Sequence, residues 1–268
     1  MPSWLLSAIV LAAFGAVLGL LLFLAEKRFR VPVDQRIEAL RAALPGVNCG
    51  GCGRAGCDVF AAALSGGQAK PSECPACSGD QRAKLYSLLG MTPEYSERMS
   101  AHINCCGGHA EAKSHFAYQG LQDCAAAGAL QGGFKACRHG CLGLGSCVAS
   151  CPFGAISVDN DRGLAEISRE KCRACRACLA ACPRGIIHMI PYAQNVHLAC
   201  NAADRGRTVR ENCIVGCIGC GLCAKACPQN ALAMVDSLPV IDYKNCSQCG
   251  VCVEKCPTAS LTFRQKYV

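Results

Sequence analysis

Cysteines in this sequence are spaced as iron–sulfur chemistry requires. Residues 171–184 read KCRACRACLAACPR, with four cysteines separated by two, two and three residues and a proline directly after the last. A structural zinc site usually takes two separated Cys-x2-Cys pairs, so a third cysteine at that spacing would be surplus. In Cys-x2-Cys-x2-Cys, three thiolates bind one four-iron cluster, and the cysteine before proline binds the neighbouring cluster of a two-cluster ferredoxin. The stretch therefore predicts half of such a ferredoxin.

The cysteine content supports this prediction. The chain has 26 cysteines in 268 residues, which is more than an ordinary core uses. Disulfide scaffolds are typical of short secreted chains, and a chain of this length does not need them to fold. Iron–sulfur clusters are the interpretation that remains.

The motif recurs because the sequence contains an internal duplication. It appears again at 217–228 and 246–257, and in a looser form at 137–152. Cys151 aligns with Cys227, 76 positions later. The same shift aligns four further pairs: Cys124 with Cys200, Cys137 with Cys213, Cys141 with Cys217, and Cys147 with Cys223. Residues 124–182 and 200–256 are therefore one unit present twice.

The rule that the cysteine before proline binds the neighbouring cluster predicts the ligand sets. In the second copy they are Cys217, Cys220, Cys223 and Cys256, and Cys246, Cys249, Cys252 and Cys227. In the first copy one set is Cys172, Cys175, Cys178 and Cys151. Its partner site departs from the pattern, because Leu144 stands where the second copy has Cys220. There we expect Cys137, Cys141, Cys147 and Cys182.

A different arrangement lies upstream, in the string NCGGCGRAGC. Its cysteines and one later cysteine predict a stand-alone four-iron site of Cys49, Cys52, Cys57 and Cys74. The glycines of this string give the backbone the left-handed conformations that a cluster-wrapping loop needs. The following DVFAAALSGG predicts a short helix that Gly66 and Gly67 end. A structural zinc ion is the alternative occupant of this module.

Six cysteines remain after five clusters are filled: Cys77, Cys105, Cys106, Cys124, Cys200 and Cys213. Because Cys124 and Cys200 are equivalent in the repeat, we expect a sixth four-thiolate site between the two copies. Its predicted ligands are Cys124, Cys200, Cys213 and one of the adjacent pair Cys105 and Cys106, with Cys106 taken here. The alternative is that these cysteines are small buried hydrophobic residues.

The elements that would position these cysteines are short. The segments AISVDNDRGLAEIS and ALAMVDSLPVIDY alternate apolar and polar residues around turns, which predicts two antiparallel hairpins. The second spacer, 228–245, is two residues shorter than the first, 152–171, and a shorter hairpin explains this. The predicted fold class is α+β, with a small single-cluster module followed by two tandem two-cluster ferredoxin-like units.

The amino terminus predicts a membrane anchor. Residues Trp4 to Ala25 carry no charge, and as a helix at about 1.5 Å per residue they would cross a bilayer core. Lys27, Arg28 and Arg30 follow directly. The positive-inside rule then places the cysteine-rich body on the cytoplasmic side of the inner membrane, behind a single N-terminal span.

Net charge does not indicate a nucleic-acid partner. The formal charge is +8, but each oxidised cluster with its four thiolates adds about −2, so five clusters bring the total to about −2. A local pattern remains, in which basic residues flank two of the motifs: Lys135, Arg138, Arg173, Arg176 and Arg184. They form either a solvated face or a docking surface for an acidic redox partner.

The order of modules resembles a known family. An anchor, GVNCGGCGRAGC with Cys74, ACRHGCLGLGSCVASCPFGAI and ENCIVGCIGCGLCAKACP resemble the B subunit of the Rnf-type ion-translocating ferredoxin:NAD oxidoreductase, in its long form with two ferredoxin units. The resemblance implies a translocase component that accepts electrons from soluble ferredoxin and relays them through other membrane subunits toward NAD, coupled to Na⁺ or H⁺ movement. An iron–sulfur subunit of another membrane dehydrogenase and a non-enzymatic redox sensor are the alternatives.

The predicted division of the chain follows these motifs. It has an anchor with a basic flank, a single-cluster module, a connecting segment and two ferredoxin-like units, at 1–30, 31–92, 93–123, 124–190 and 191–268. The histidines form no HExxH or nucleophile pattern, and no GxGxxG opens a strand–helix unit. We therefore expect no catalytic residue in this chain and expect flavin or nicotinamide to bind another subunit.

Overall fold

A computed structural model describes residues 3–29, 34–94 and 97–263. The chain divides into two compact units, Met1–Ala39 and Leu40–Val268. In the first unit, helix α1 (Ser3–Phe29) ends in the basic residues Lys27 and Arg28. Its stretch Ile9–Phe29 has a mean hydropathy of 2.5 and is long and apolar enough to cross a membrane. The predicted apolar N-terminal helix is confirmed, and Arg30 lies outside the described residues.

Small helices build the single-cluster module. The helical segments are α2 (Gln35–Ala43), α3 (Cys57–Ser65), a 3₁₀ turn (Pro71–Glu73) and α4 (Gly79–Leu89). The described core of this module is apolar and fully buried: Leu40, Phe60, Leu64, Leu85 and Tyr86. Ser78 caps α4 by accepting a hydrogen bond from the backbone N–H of Gln81, and Gly90 ends that helix in the left-handed conformation. Helix α3 ends at the predicted Gly66 and Gly67.

The first ferredoxin-like unit encloses a hairpin between its outer strands. Its strands are β1 (Met99–Ile103), β2 (Ile156–Asp159), β3 (Leu164–Ile167) and β4 (Ile187–Pro191). Strand β1 pairs antiparallel with β4, and β2 with β3. Its helices are α5 (Cys124–Ala129), α6 (Ser146–Ala149) and α7 (Ala177–Ala181).

The second unit repeats this topology. Its strands are β5 (Val196–Leu198), β6 (Leu232–Val235), β7 (Leu238–Ile241) and β8 (Leu261–Phe263). Strand β5 pairs antiparallel with β8, and β6 with β7. Its helices are α8 (Gly206–Asn212), α9 (Leu222–Lys225) and α10 (Val251–Glu254). The α+β class with two tandem ferredoxin-like units is confirmed.

The two inner hairpins differ in their turns as expected. Asp159 pairs with Leu164 across a turn of residues 160–163, whereas Val235 pairs with Leu238 across residues 236 and 237 alone. Both turn residues of the shorter hairpin, Asp236 and Ser237, have positive φ, as a two-residue type I′ turn requires. The two missing residues therefore lie in this turn, which confirms the sequence interpretation.

Strand β1 is an element that the sequence did not predict. It falls within 93–123, the segment that we expected to connect the single-cluster module to the first ferredoxin-like unit, and it pairs with β4 over five residues. The five boundaries remain a prediction. Within that scheme, we propose that the first ferredoxin-like unit begins at β1, as the second begins at β5.

Candidate iron–sulfur sites

The four ferredoxin-type loops share one backbone device. Each has two residues of positive φ, two positions apart, in front of a short helix: Gly143 and Gly145, Ala174 and Arg176, Gly219 and Gly221, Gln248 and Gly250. Alternating left- and right-handed conformations turn successive backbone N–H groups into a concave, anion-binding nest. The helices that follow, α6, α7, α9 and α10, carry the third cysteine of each loop, and all four are buried: Cys147, Cys178, Cys223 and Cys252.

One predicted ligand set in the first unit meets around a single cavity. Cys151, Cys172, Cys175 and Cys178 all line a cavity of about 20 Å³. The pKa of the Cys178 thiol is raised to about 12, chiefly by burial and then by the charges of Cys172, Cys175 and Cys151. The backbone N–H of Ala101 donates to Cys172 Sγ at 3.4 Å, and that of Ala155 donates to Cys151 Sγ at 3.4 Å.

The second unit brings its first predicted set together in the same way. Cys217, Cys220, Cys223 and Cys256 line a cavity of about 10 Å³. Burial favours the neutral Cys256 thiol, but hydrogen bonds from Ser260 Oγ and from backbone N–H groups outweigh it and lower the pKa of Cys256. The Ser260 Oγ and Cys256 Sγ atoms are 3.3 Å apart.

Two cysteines of the other set in the second unit act on Cys252. The pKa of Cys252 is raised to about 11, chiefly by burial and then by the charges of Cys246, Cys223 and Cys249. Cys227 accepts a hydrogen bond from the backbone N–H of Ala231 at 3.3 Å. This bond is the repeat equivalent of the Ala155 to Cys151 bond in the first unit, so the duplication has kept its sulfur contacts.

In the upstream module, the predicted ligands lie around the start of α3. Asn48 Oδ1 accepts a hydrogen bond from the backbone N–H of Cys57 at 2.8 Å. Burial raises the pKa of Cys52, and the charges of Cys74 and Cys49 add to this. These contacts connect the NCGGCGRAGC string to the later Cys74.

Cys77 is a neighbour of this site that the sequence interpretation left out. Its thiol donates a hydrogen bond to the Cys74 sulfur, which lowers the pKa of Cys74 to about 6 and raises the pKa of Cys77. The charge of Cys57 also acts on Cys77. The sequence did carry a signal, because Cys74 and Cys77 form a Cys-x2-Cys pair.

Cys124 lies closer to the partner site of the first unit than we expected. Its backbone N–H donates to Ser146 Oγ at 2.7 Å, directly before Cys147 in the chain. The pKa of Cys147 is raised to about 12, chiefly by burial and then by the charges of Cys141, Cys124 and Cys182. Cys124 packs against the same small apolar cluster as Leu144, the residue that replaces the missing loop cysteine.

Cys137 lies elsewhere, although it was the fourth expected ligand of that site. It packs against the core of the second unit. Burial raises its pKa, and the nearest thiol charges that add to this are those of Cys105 and Cys213. Cys124 therefore lies beside Leu144, whereas Cys137 packs toward the other unit. The expected ligand set with Cys137 stays a prediction.

The donors fit four-iron clusters. Cysteine thiolates are soft ligands that suit iron–sulfur clusters, and the described sites supply them in fours with backbone N–H donors to sulfur. Among residues 3–29, 34–94 and 97–263, no three His, Cys, Asp or Glu side chains are arranged to hold a single metal ion. A four-iron cluster does not require such convergence, because each thiolate binds a different iron.

Family models match the same three regions. A model described as "Putative Fe-S cluster" matches residues 44–76. A "4Fe-4S dicluster domain" model matches residues 136–186 and 216–260, and a second model with that description matches 171–231. The matches coincide with the single-cluster module and the two ferredoxin-like units, and they confirm four-iron cluster domains in this chain.

Three relatives are similar over most of the chain. The B subunit of the Na(+)-translocating ferredoxin:NAD(+) oxidoreductase complex of Acetobacterium woodii is 42% identical over 88% of this chain and 71% of its own length. The B subunit of the ion-translocating oxidoreductase complex of Methanosarcina acetivorans is 37% identical over 92% of this chain and 94% of its own length. The B subunit of the proton-translocating ferredoxin:NAD(+) oxidoreductase complex of Clostridium ljungdahlii is 38% identical over 92% and 87%.

Proposed function

Since the chain belongs to the B-subunit family of ion-translocating ferredoxin:NAD oxidoreductase complexes, we propose that it accepts electrons from reduced ferredoxin and passes them toward NAD. In the complex, this transfer would be coupled to Na⁺ or H⁺ translocation. The role of this chain is electron transfer between its clusters, in contact with other subunits of the complex.

We assign five clusters to five sets of thiols. The proposed sets are Cys49, Cys52, Cys57 and Cys74; Cys151, Cys172, Cys175 and Cys178; Cys124, Cys141, Cys147 and Cys182; Cys217, Cys220, Cys223 and Cys256; and Cys227, Cys246, Cys249 and Cys252. The third set contains Cys124 in place of Cys137, for the contacts given above.

A bound four-iron cluster supplies a one-electron carrier whose potential depends on its surroundings. The chain's own residues contribute hydrogen bonds to sulfur and exclusion of water. The N–H groups of Ala101, Ala155 and Ala231 donate to ligand sulfurs at 3.3 to 3.4 Å, and such bonds stabilise the thiolate form. Burial of the third cysteine in each loop keeps water from one side of the site.

The main support for this proposal is the direct packing of the single-cluster site against a site of the first ferredoxin-like unit. A Cβ atom added to Gly51 would lie 3.0 Å from Cys175 Cα. Glycine at this position gives the loop of the single-cluster module room to approach the first ferredoxin-like unit closely. Burial raises the pKa of Cys175, and the charge of Cys49 from the other site adds to this. We therefore expect direct electron transfer between the clusters bound at these two neighbouring sites.

A basic groove beside these two sites suits an acidic ferredoxin. It has a volume of about 680 Å³, and its lining includes Cys52 and Cys172. Four arginines and two glutamates also line it: Arg82, Arg98, Arg173, Arg176, Glu73 and Glu97. Arg173 and Arg176 are exposed. Complementary charge would steer the ferredoxin to this groove, where the cluster ligands Cys52 and Cys172 are part of the lining.

We further propose that α1 anchors the chain in the membrane by a single span. The basic residues in its last turn, Lys27 and Arg28, would stay on the cytoplasmic side by the positive-inside rule. The cysteine-rich unit follows them in the chain, so it would face the cytoplasm and its soluble ferredoxin.

The test of this function is the rate at which reduced ferredoxin reduces the anaerobically purified protein, followed by bleaching of cluster absorption. Fast reduction at low salt is expected, and the double substitution Arg173→Gln and Arg176→Gln should slow it several-fold. The difference should largely disappear above about 0.1 M salt, where the Debye length is about 10 Å.

Matched controls are Lys225→Gln and Lys244→Gln, which remove two exposed charges from the second ferredoxin-like unit. Their reduction rate should equal that of the wild type. No reduction by ferredoxin at any salt concentration would contradict the proposed function. If both double variants lose the same fraction of the rate, the basic groove is not the docking site, but the proposed electron-transfer function stands.

A further inference from the structure

A cavity between the two ferredoxin-like units is lined by five cysteines outside the five sets above: Cys105, Cys106, Cys137, Cys200 and Cys213. Its volume is about 20 Å³, and its lining includes Cys105, Cys137, Cys200 and Cys213. The two cavities lined by ferredoxin-type ligand sets have volumes of about 20 and 10 Å³. We propose that these four cysteines hold a sixth four-iron cluster, which connects the two units. This inference rests on the proposed function and deepens it.

Backbone pairing brings these cysteines together from distant parts of the chain. The N–H of Cys106 donates to Ala199 O at 3.0 Å, which sets Cys105 near Cys200. Residues 112–114 pair on one side with 212–213 and on the other with 135–136, through the bridges Ala112 to Cys213 and Ser114 to Lys135. This three-stranded arrangement sets Cys137 near Cys213.

The shared cavity brings Cys105 close to Cys137, Cys200 and Cys213, and the electrostatics of these thiols agree with this. Burial raises the pKa of Cys137, Cys200 and Cys213, and in each case the charge of Cys105 adds to this. The charge of Cys213 also acts on Cys137. Cys105 is therefore the one thiol whose charge acts on all three.

Hydrogen bonding selects Cys105 over its neighbour Cys106. The backbone N–H of Cys141 donates to Cys105 Sγ at 3.3 Å, which is the kind of contact that the ligands Cys151, Cys172 and Cys227 accept. The Cys106 thiol instead donates toward Val215 O at 4.0 Å. We therefore assign Cys105 to this site, in place of the Cys106 of the sequence prediction, because the Cys105 sulfur accepts this hydrogen bond.

Lys135 is a second, independent feature of this cavity. It lines the cavity and is 1% exposed, and its ammonium group donates to Gly107 O at 2.9 Å. No carboxylate in the described part of the chain forms an ion pair with it. A buried ammonium group is costly without a compensating anion. A cluster with four thiolates is such an anion.

The duplication explains why this site exists once. In the second unit Cys220 completes the loop set, so Cys200 is free for the shared cavity. In the first unit Leu144 replaces that loop cysteine, and Cys124, the equivalent of Cys200, takes its place. The equivalent cysteines Cys137 and Cys213 both turn to the shared cavity.

The sixth site touches ligands of both neighbouring clusters. Cys105 accepts its hydrogen bond from Cys141 of the first unit. Cys200 lies in the same buried cluster of side chains as Cys217, a ligand of the second unit. An electron crossing from one ferredoxin-like unit to the other would therefore pass through this site.

Iron content of anaerobically purified full-length variants tests the assignment. The wild type should hold about 24 Fe per chain, and Cys200→Ala, Cys105→Ala and Cys137→Ala should each hold about 20, because each removes the same four-iron cluster. The control Cys106→Ala, a buried thiol beside Cys105, should keep about 24 Fe.

Double variants distinguish this ligand set from the alternative in which Cys124 and Cys200 share the sixth site. With both Cys137 and Cys200 replaced by alanine, about 20 Fe should remain, whereas Cys124→Ala with Cys200→Ala should leave about 16 Fe, since two clusters are lost. The reverse pattern, or about 20 Fe in the wild type, would overturn the inference and leave the proposed function standing. Wild-type protein with almost no iron would instead overturn the proposed function.

A second readout is the electron paramagnetic resonance spectrum of the fully reduced protein. Cys200→Ala should lose one spin per chain, together with the magnetic coupling between the two ferredoxin-like units. An unchanged spin count in that variant would also contradict the sixth cluster.

Discussion

At the scale of single residues, Arg176 differs from its counterparts in the other loops. Gly145, Gly221 and Gly250 precede the short helices of the other three loops, whereas Arg176 holds the same left-handed conformation at a φ of 65°. A residue with a Cβ atom pays about 1–2 kcal/mol for that conformation. The arginine at this position lines the basic groove, so its charge offers an explanation for the strain.

We therefore expect Arg176→Gly to stabilise the protein by about 1 kcal/mol while it slows reduction by ferredoxin at low salt. The measurement is the midpoint of anaerobic denaturant unfolding, followed by cluster absorption. Gly221→Arg, at the equivalent position of the second unit, should lower the midpoint by a similar amount. A lower midpoint for Arg176→Gly would show that the side chain, and not the backbone, decides stability there.

At the scale of elements, the first turn of α5 holds Cys124 in place. Asp123 Oδ1 accepts a hydrogen bond from the N–H of Ala126 at 2.7 Å, and its Oδ2 accepts one from Ser146 Oγ at 2.9 Å. The backbone hydrogen bond from Ala126, followed by that from Ser146, lowers the pKa of Asp123. One carboxylate thus joins the helix to the loop that carries Cys147.

This contact gives a pH dependence with a definite sign. Because the pKa of Asp123 is lowered in the folded state, its contribution is complete above the ordinary Asp pKa of about 3.9 and is lost as pH falls through the lowered value. Asn caps a helix without titrating. Amide hydrogen exchange at Ala126 should lose protection in acid in the wild type but not in Asp123→Asn. Equal loss in both proteins would argue against this carboxylate.

The shared core of the first ferredoxin-like unit links its two clusters. Cys178 of one site and Cys141 and Cys147 of the other lie in a single buried cluster of side chains. Metal binding supplies folding energy in such small cores. Cys178→Ala should therefore lose about 4 Fe and make the neighbouring cluster more sensitive to iron chelators, whereas Cys106→Ala should lose none. Full iron retention in Cys178→Ala would contradict the ligand assignment.

Spacing predicted the elements that are local in sequence. The hairpin turns, helix α3 and the loop triplets such as Cys217, Cys220 and Cys223 depend on residues close together in the chain. Single cysteines such as Cys105 and Cys137 are different, because backbone pairing between distant segments, through Ala112, Ala199 and Lys135, decides their neighbours. Strand β1 was missed for the same reason, since its partner β4 lies more than 80 residues later.

At the scale of the whole molecule, the anchor and the cluster-binding part separate along the chain. All 26 cysteines occur at or after Cys49, inside the compact unit Leu40–Val268. The apolar stretch Ile9–Phe29 lies in the other unit. Deleting residues 1–33 should therefore give a water-soluble protein with the iron content of the full chain. Iron loss on deletion, measured per chain by metal analysis, would show that the cluster sites depend on the anchor.

We expect the six proposed sites to form one continuous series. The single-cluster module contacts the first ferredoxin-like unit through Gly51 and Cys175. Cys105 and Cys200 connect that unit to the second, and Cys223 lies beside Cys252 within the second. The basic groove lies at the first end of this series, so we expect electrons to enter there and leave near Cys249, an exposed ligand of the last site.

Iron, acid-labile sulfide and zinc per chain, measured together on anaerobically purified wild-type protein, test the central claim most directly. We expect about 24 Fe and about 24 sulfides per chain with little zinc, because six four-iron clusters each contain four iron and four sulfide ions. Stoichiometric zinc with almost no iron or sulfide would contradict the account, since these cysteines would then hold a structural metal and carry no electrons.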